Sequence, residues 1–361
     1  MEVLSNPGYQ IGVMNSLYEF YRVKYNWGSD SAYIWKWVTS ITMMVACLIS
    51  IFGSCLLNTF GRRGMMHMGN IFTCIASIII QINGTTYLLI GRALYGIAMG
   101  FYFYVAAGYL RECSPPKDSG KYITFHQLNI VVAILIGALF SLAIPNKEDI
   151  GKIEKDSFYR IVMAFPVVIA LLQTILLVFV IKYDSPKCEY MANREKISRE
   201  ILARMYKSQQ VIDDTIALYQ KEAEVEKRVS SNDKVFWSMY LKLLLVGCFI
   251  AICQQVSGVN SIMMYSTPMF YAMTGKEQSA KLGTVVIDAA QLLFTLLSFA
   301  LVDRIGRKVL FIIGCIGCGI TQILFGILYD EDKIENSADY AELAILVVFI
   351  AFFSISLGPV T

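Results

Sequence analysis

The stretch NTFGRR at residues 58–63 returns in altered form as DRIGRK at residues 303–308. Each copy lies where one apolar segment gives way to the next, and each has a glycine followed by basic residues. The offset between the copies is 245 residues, from 58 to 303. A tight, basic corner that occurs once per half indicates a chain built by duplication of a helical bundle. Such internal repetition in a protein with many membrane spans is typical of secondary transporters.

The composition indicates that much of the chain faces lipid. Of its 361 residues, 56% are hydrophobic and 16% are charged, whereas soluble domains carry about 25% charged residues. The apolar residues come in blocks of about 20, the length that a helix needs to cross a bilayer. The blocks lack the alternation of barrel strands, so they predict transmembrane helices. The net charge of +3 is too small to indicate a nucleic-acid partner.

The apolar blocks predict ten spans. They are 5–22 (short and partial), 37–57, 65–84, 87–110, 122–144, 158–182, 236–270, 280–302, 308–329 and 342–361. The seventh span is long enough to break or bend, and Gly258 and Pro268 are the predicted places.

The predicted domains are an N-terminal transmembrane half, a linker and an incomplete C-terminal half, at residues 1–182, 183–235 and 236–361. The linker is polar, and its apolar periodicity predicts short amphipathic helices on a membrane surface. The basic corners at 58–63 and 303–308, together with the linker, are assigned to the cytoplasm, because positively charged loops stay inside.

Three neutral amides in the seventh span are the first candidates for a binding site: Gln254, Gln255 and Asn260. A buried amide without a partner costs about 1–3 kcal/mol. Sugar hydroxyls donate and accept hydrogen bonds, as amides do, so these residues are predicted to bind a neutral polyol. The alternative is that the amides bond to one another or to neighbouring helices.

Five segments, in this order, resemble the signature motifs of the sugar porter family of the major facilitator superfamily. They are Gly91-Arg92 with Gly96 and Gly100, YDSPK at 183–187, QQVSGVN at 254–260, DRIGRK at 303–308 and GPVT at 358–361. The resemblance runs almost end to end. It implies an all-α, polytopic membrane protein with the major facilitator fold, in which two pseudo-symmetric six-helix halves surround a central cavity. The first helix would be partial and the chain would end in helix ten, so we expect a chain truncated at both ends.

The same resemblance adds site residues. Gln127 matches a glutamine of the family's sugar site, and Gln291 falls where the family has a polar ligand, with helix packing as the alternative for both. Tyr265 and Met264 are expected to gate the outer mouth. A cytoplasmic latch is expected in which basic corner residues pair with acidic helix ends. Its members are Arg62, Arg63, Glu112, Asp184, Asp303, Arg304 and Arg307. The alternative is that the basic corners only set the topology.

Coupling to protons needs a group inside the membrane that can change its charge. Proton-coupled members of the family usually have aspartate where this chain has Gln10, which cannot titrate. Asp288 is the remaining candidate carboxylate, and we expect it to be a helix-end residue near the outer interface. The sequence therefore predicts a uniporter.

The expected function is facilitated diffusion of a hexose or related monosaccharide by alternating access. We expect a monomer in the plasma membrane that binds a neutral sugar, without enzymatic chemistry, cofactor or metal. The alternatives are a sugar sensor that does not transport, and a porter of the same fold for another solute, such as a polyol or inositol, with or without proton coupling.

Overall fold

A computed structural model describes residues 5–114, 119–146, 157–181, 183–206, 208–230, 234–328 and 338–358. The N-terminal half contains α1 (Ser5–Asn15), α2 (Tyr18–Lys24), α3 (Ser31–Ile51), α4 (Gly53–Ile80), α5 (Thr85–Cys113), α6 (Ser119–Leu142) and α7 (Phe158–Phe179). The linker contains α8 (Pro186–Met191), α9 (Glu195–Met205) and α10 (Gln209–Ser230). The C-terminal half contains α11 (Lys234–Val256), α12 (Val259–Thr274), α13 (Glu277–Ile305), α14 (Arg307–Leu328) and α15 (Ala338–Phe352), which continues as a π-helical turn, Phe353–Leu357.

Eight segments of the described residues are long and apolar enough to cross a membrane. The predicted helical, multi-pass organisation is therefore confirmed. The short first span is the pair α1 and α2, and the long seventh span is the pair α11 and α12.

Each half of the bundle has one large apolar core. The first includes Tyr9, Phe20, Tyr21, Trp35 and Tyr159. The second includes Phe270, Ile287, Leu346, Phe349 and Ile350. One partly buried side chain from the other half packs against each core. Tyr265 packs against the first core, and Ile11 packs against the second.

Glycines allow α5 to approach α3 closely, as their spacing predicts. A Cβ atom added to Gly96 would lie 2.6 Å from the carbonyl oxygen of Thr42, and one added to Gly100 would lie 2.9 Å from that of Ala46. Both distances are far below van der Waals contact, so a side chain at either position would push the two helices apart.

The seventh span breaks at Gly258, as predicted. Gly258 has a φ of 75°, in the left-handed region, and separates the end of α11 at Val256 from the start of α12 at Val259. Pro268 lies inside α12 and does not end it. A break at Gly258 costs less conformational free energy than a break at Pro268, since glycine adopts positive φ without strain.

The repeated corners share a backbone turn. Gly61 has a φ of 67° and Gly306, 245 residues later, has a φ of 87°. Only glycine adopts these conformations at low cost, so the internal repeat read from the sequence is also a repeat of backbone geometry. We call the end of the bundle that carries both glycines the corner end.

Alanine at Gly61 is expected to destabilise the protein more than alanine at Gly306. Both changes place a side chain on a positive-φ backbone, at about 1–3 kcal/mol each. At Gly61 the new Cβ would also collide with Oδ2 of Asp184, whereas nothing lies within 4 Å at Gly306. Melting temperatures of the two purified variants test this, and equal losses would contradict it.

The linker helices α9 and α10 bury their apolar faces against one another. Leu202, Ile212, Ile216 and Tyr219 form one cluster, with Tyr190 and Tyr206 packed against it. The amphipathic helices are confirmed. Packing within the linker accounts for part of their apolar periodicity, and contact with a membrane surface stays a prediction.

Candidate functional site

The first basic corner forms the predicted charge pair. Arg62 donates from Nε to Oε2 of Glu112 and from Nη2 to Oε1, both at 2.5 Å. Both side chains are almost buried, at 11% and 9% exposure. The pair joins α4 to α5 inside the N-terminal half. Tyr219 of the linker donates its hydroxyl to the backbone oxygen of Glu112 at 3.3 Å, so the linker contacts α5 at the residue that pairs with Arg62.

Asp184 lies under the turn at Gly61. Its Oδ1 accepts hydrogen bonds from the backbone N–H of Arg63 at 3.2 Å and of Ser185 at 2.8 Å. Burial raises the pKa of the Asp184 carboxyl above its usual value, although these two hydrogen bonds oppose the rise. The folded state therefore favours its protonated form, and this contribution to stability is present at low pH and lost as the pH rises through the raised pKa.

The YDSPK segment is a helix start. Ser185 accepts a hydrogen bond on its hydroxyl from the backbone N–H of Cys188 at 3.2 Å, and Pro186 occupies the first turn of α8. This is the usual chemistry of a helix N-terminus. A cavity of about 450 Å³ lies beside it, lined in part by Arg62, Glu112 and Asp184.

Of the remaining latch candidates, Arg63 contacts Asp184 through its backbone N–H. Arg63 donates through its side chain to the backbone oxygen of Leu177, at 2.8 Å from Nη2. Arg304 is exposed at the end of α13. The side chains of Asp303 and Arg307 lie outside the described residues. The latch function of all seven residues stays a prediction.

The three amides of the seventh span do not converge on one buried pocket. Asn260 donates to Oε1 of Gln255 at 2.5 Å, and both side chains are exposed. Gln254 is half-buried and donates to the backbone oxygen of Leu357 at 3.4 Å. The break at Gly258 accounts for this, because it turns residue 260 back towards residue 255. The alternative of amide-to-amide bonding is thus realised for Gln255 and Asn260.

The other two predicted amides lie between helices. Nε2 of Gln127, in α6, lies close to Gly358 of the other half, 3.6 Å from where a Cβ would stand. Gln291, in α13, is 3% exposed, and its Oε1 has no hydrogen-bond partner among the described residues. A buried amide oxygen without a donor is costly, so the position suits a ligand that brings a hydroxyl.

Further buried polar atoms have no hydrogen-bond partner among the described residues. They include Oδ1 of Asn6, Nδ1 of His126, both amide atoms of Gln173, Oδ2 of Asp288 and the hydroxyl of Ser354, and of these residues only Asp288 was named as a candidate from the sequence. Native proteins leave few such atoms unsatisfied. Polar residues at spacings of three and four along one helix could have indicated that Asp288 is buried on the same face as Gln291.

Asp288 lies inside α13 and not at a helix end, where it was expected. It is the twelfth residue of α13, which begins at Glu277, and it is 2% exposed. The prediction of a helix-end residue was wrong, because α13 starts earlier than the apolar block suggests.

The two halves are joined at the end opposite to the corner end, which we call the sealed end. Asn15 of α1 donates to the hydroxyl of Ser266 at 2.6 Å and accepts from the backbone N–H of Thr267 at 3.1 Å. The hydroxyls of Ser16 and Thr267 are 3.2 Å apart. These hydrogen bonds tie the start of the chain to α12.

Tyr265, one of the two predicted gating residues, bridges the halves. Its hydroxyl lies 3.0 Å from that of Thr39 in α3. Met264 is half-buried beside it in α12. The contact fits a gate that is shut in this conformation, although gating itself stays a prediction.

A buried ion pair completes the sealed end. Nζ of Lys281 lies 2.9 Å from Oε1 of Glu277, and the two side chains are 0% and 1% exposed. The same ammonium donates to the backbone oxygen of Ile144 at 3.1 Å and to Oδ1 of Asn146 at 2.9 Å. Lys281 belongs to the C-terminal half and its two oxygen partners to the N-terminal half.

The side chain of Gln10 is hydrogen-bonded to the guanidinium of Arg92. Nη1 of Arg92 donates to Oε1 of Gln10 at 3.1 Å, and Nε of Arg92 donates to the backbone oxygen of Val38 at 3.1 Å. Arg92 is 2% exposed. A neutral amide thus satisfies the guanidinium, and no titrating group is needed at residue 10.

Comparison with known proteins gives one family and one fold. The family model described as "Sugar (and other) transporter" matches residues 5–361. The chain is similar to facilitated glucose transporter member 1 of solute carrier family 2 from Gallus gallus, at 28% identity, over 98% of this chain and 74% of the relative. It is similar to Hexose transporter 1 of Toxoplasma gondii at 25% identity, over 90% of this chain and 58% of that relative.

Among solved structures, the chain is similar to the proton:xylose symporter XylE of the major facilitator superfamily bound to 6-bromo-6-deoxy-D-glucose. The TM-score is 0.83 at 20% identity, over 99% of this chain and 79% of that chain. An inward-open structure of XylE from E. coli gives a TM-score of 0.74 over the same shares. These likenesses show that the chain has the major facilitator fold.

Proposed function

This chain belongs to the sugar transporter family, and from that membership we propose that it carries a hexose or related monosaccharide across a membrane by alternating access. The two halves would rock about the substrate, so that the site opens on one face at a time. We propose facilitative uniport in the plasma membrane by a monomer, with the corner end in the cytoplasm.

The observation that carries the proposal is the unpartnered Oε1 of Gln291, buried in a helix that packs against the other half. Gln127 supports it from the facing helix α6, where its amide lies close to Gly358. A sugar hydroxyl supplies the donor that the Gln291 oxygen lacks and accepts from a neighbouring amide. Neutral amides suit an uncharged sugar, and no covalent step is required.

The identity of the residue at position 10 supports uniport. Gln10 accepts from Arg92 and cannot bind or release a proton near neutral pH. The charge of this region is therefore fixed through the transport cycle. A carrier with no proton-driven step equilibrates its sugar and does not accumulate it.

Labelled hexoses offered to proteoliposomes that contain the purified chain test transport and coupling together. We expect saturable uptake that stops at equal concentrations inside and outside, with or without a proton gradient. Accumulation that a proton uncoupler abolishes would contradict uniport, and the lack of any uptake would contradict transport by this chain.

Leucine at Gln291 is expected to raise the KM for sugar about tenfold or more, because one buried hydrogen bond worth about 1–3 kcal/mol is lost. Gln209→Leu is the matched control, since Gln209 is exposed in the linker helix α10. An unchanged KM in Gln291→Leu would remove this residue from the site.

A further inference from the structure

One face of α13 is polar and buried along most of the helix. The members lie at alternating spacings of four and three residues, which places them on one side, and each is at most 3% exposed. We call this face the polar stripe, and it consists of Glu277, Lys281, Thr284, Asp288, Gln291, Thr295 and Ser298.

Members of the polar stripe on the side of the sealed end have partners. Lys281 pairs with Glu277. The hydroxyl of Thr284 lies 2.7 Å from that of Thr267 and 3.2 Å from that of Ser266. The three residues of the stripe nearest the sealed end, Glu277, Lys281 and Thr284, thus have ion-pair or hydrogen-bond partners.

The two residues in the middle of the polar stripe, Asp288 and Gln291, each have an oxygen atom without such a partner in the part of the chain that the structure describes. Oδ2 of Asp288 and Oε1 of Gln291 are both buried acceptors without a donor among the described residues. Asp288 follows Glu277 by eleven residues, about 16 Å along the helix axis. This distance places the carboxyl near the middle of the hydrocarbon layer.

An ionised carboxylate in that place is strongly disfavoured. It would be buried, with no donor to its Oδ2 among the described residues, and such groups become neutral instead. A proton on Oδ2 removes the charge. It also supplies a donor to the stripe, where Gln291 lies one turn away with an acceptor that has none.

We propose that Asp288 is a proton-binding site and that the carrier passes through its closed states only when this carboxyl is protonated. The proton comes from water when the site is open to one side and returns to water when the site is open to either side. No bond other than O–H forms or breaks. This inference rests on the proposed sugar transport and deepens it.

The proposal is compatible with uniport. The proton accompanies the empty carrier as well as the loaded one, so it crosses in both directions and a proton gradient drives no accumulation. What changes with pH is the rate. Above the midpoint of the titration, the protonated fraction falls about tenfold per pH unit, and sugar uptake falls with it.

Other titratable groups on the packed helices differ from Asp288 in place or in chemistry. On α13 itself, Lys281 and Glu277 form their own ion pair two turns and more away. His126 lies on α6 near its corner end, while Lys121 and Tyr122 of α6 have side chains outside the described residues. Also on α13, Arg304 lies at the corner end, and the side chain of Asp303 lies outside the described residues. The other packed helices carry Tyr265 and Tyr271 of α12, and Lys308, Cys315 and Cys318 of α14. The side chains of Arg307 of α14 and of Asp339, Tyr340 and Glu342 of α15 lie outside the described residues.

The test is the pH profile of sugar uptake by proteoliposomes with equal pH on both sides. For the unchanged protein we expect uptake to fall about tenfold per pH unit on the alkaline side. Asp288→Asn keeps the shape of the protonated side chain, so its ratio of alkaline to acidic uptake is expected to be close to one. Asp213→Asn, in the exposed linker, is the matched control and is expected to keep the fall.

Two further variants sharpen the result. Asp288→Glu retains a titrating carboxyl and is expected to keep the fall. Asp288→Thr, which is also neutral and is expected to give a flat profile, replaces Asp288→Asn if that variant does not fold. His126→Gln is expected to keep the fall as well. A flat profile in His126→Gln with a normal fall in Asp288→Asn would overturn the proposal.

Identical profiles for the unchanged protein and Asp288→Asn would overturn this inference and leave sugar transport intact. No uptake by the unchanged protein at any pH would overturn the proposed function together with it. The two failures are therefore distinguishable in one experiment.

Discussion

Replacement of Lys281 by methionine is expected to open the sealed end of the bundle. The ammonium of Lys281 is completely buried and contacts Glu277 in its own half and Ile144 and Asn146 in the other half. Methionine has a similar length but neither charge nor donor. The variant therefore leaves the Glu277 carboxylate buried beside an apolar side chain, and it removes two hydrogen bonds between the halves.

The expected loss is large. Removal of one partner of a buried ion pair costs about 3–5 kcal/mol, because the charge that remains has lost this counter-ion. Glu277 lies in the first turn of α13, at the sealed end, so separation of the halves would return it to water. The cost thus falls on the closed conformation, and the equilibrium shifts towards opening at that end by a factor of about 100 or more.

The measurement is labelling of a cysteine introduced at Thr284, which is completely buried next to the sealed end. The background lacks the nine native cysteines, and the reagent is a maleimide that cannot cross the membrane. With the sealed end outside, Lys281→Met is expected to increase labelling in intact cells. The double variant Lys281→Met with Glu277→Gln is expected to return most of the protection, because the stranded charge is gone.

Lys276→Met is the matched control, since Lys276 is exposed and precedes α13 by one residue. It is expected to leave labelling unchanged. Equal labelling in Lys276→Met and Lys281→Met would show that the buried pair does not hold the halves together. A double variant that labels as fast as the single one would show that the stranded charge is not the cause.

The sequence predicted features that depend on one helix or one turn. Span positions follow from apolar length, and the break at Gly258 and the corners at Gly61 and Gly306 follow from glycine chemistry. The resemblance to the family's motifs also predicted that Arg62 pairs with Glu112 and that Asp184 lies at the same corner. These contacts lie at helix ends, where position along the chain largely fixes position in space.

The sequence did not predict features that depend on which face of a helix meets which neighbour. Lys281 and Glu277 were not among the residues singled out from the sequence, because the burial of a charged residue depends on the helices that pack against it. Asp288 was misplaced because α13 starts earlier than the apolar block suggests. Gln255 and Asn260 bond to each other because the turn at Gly258 brings them together, which amide content alone does not reveal.

Loss of the Arg62 side chain is expected to weaken the corner end as strongly as loss of Lys281 weakens the sealed end. Arg62 is held by two hydrogen bonds from its guanidinium to Glu112, and both groups are nearly buried. Such bidentate, charge-assisted pairs are among the strongest polar contacts in proteins. Arg62→Leu leaves Glu112 partly buried without its cation, at about 3 kcal/mol or more.

The consequences reach the linker. Tyr219 of α10 donates to the backbone of Glu112, and Asp184 supports the turn that precedes Arg62. We therefore expect Arg62→Leu to lower the melting temperature and to speed proteolysis between α7 and α11. The exchange of both residues, Arg62→Glu with Glu112→Arg, is expected to recover part of the loss, since it restores opposite charges.

An exposed ion pair in the linker serves as the comparison for the loss of stability expected in Arg62→Leu. Arg199 lies 2.7 Å from Glu195, but the two side chains are 41% and 51% exposed, and such surface pairs contribute little to stability. Arg199→Leu should therefore barely change the melting temperature. If Arg62→Leu were equally mild, the corner charges would serve only to orient the chain in the membrane, and the latch interpretation would be wrong. A large loss with partial recovery in the exchanged pair requires instead that the charges hold α4, α5 and the linker together, which is the contact that a cytoplasmic latch must make and break.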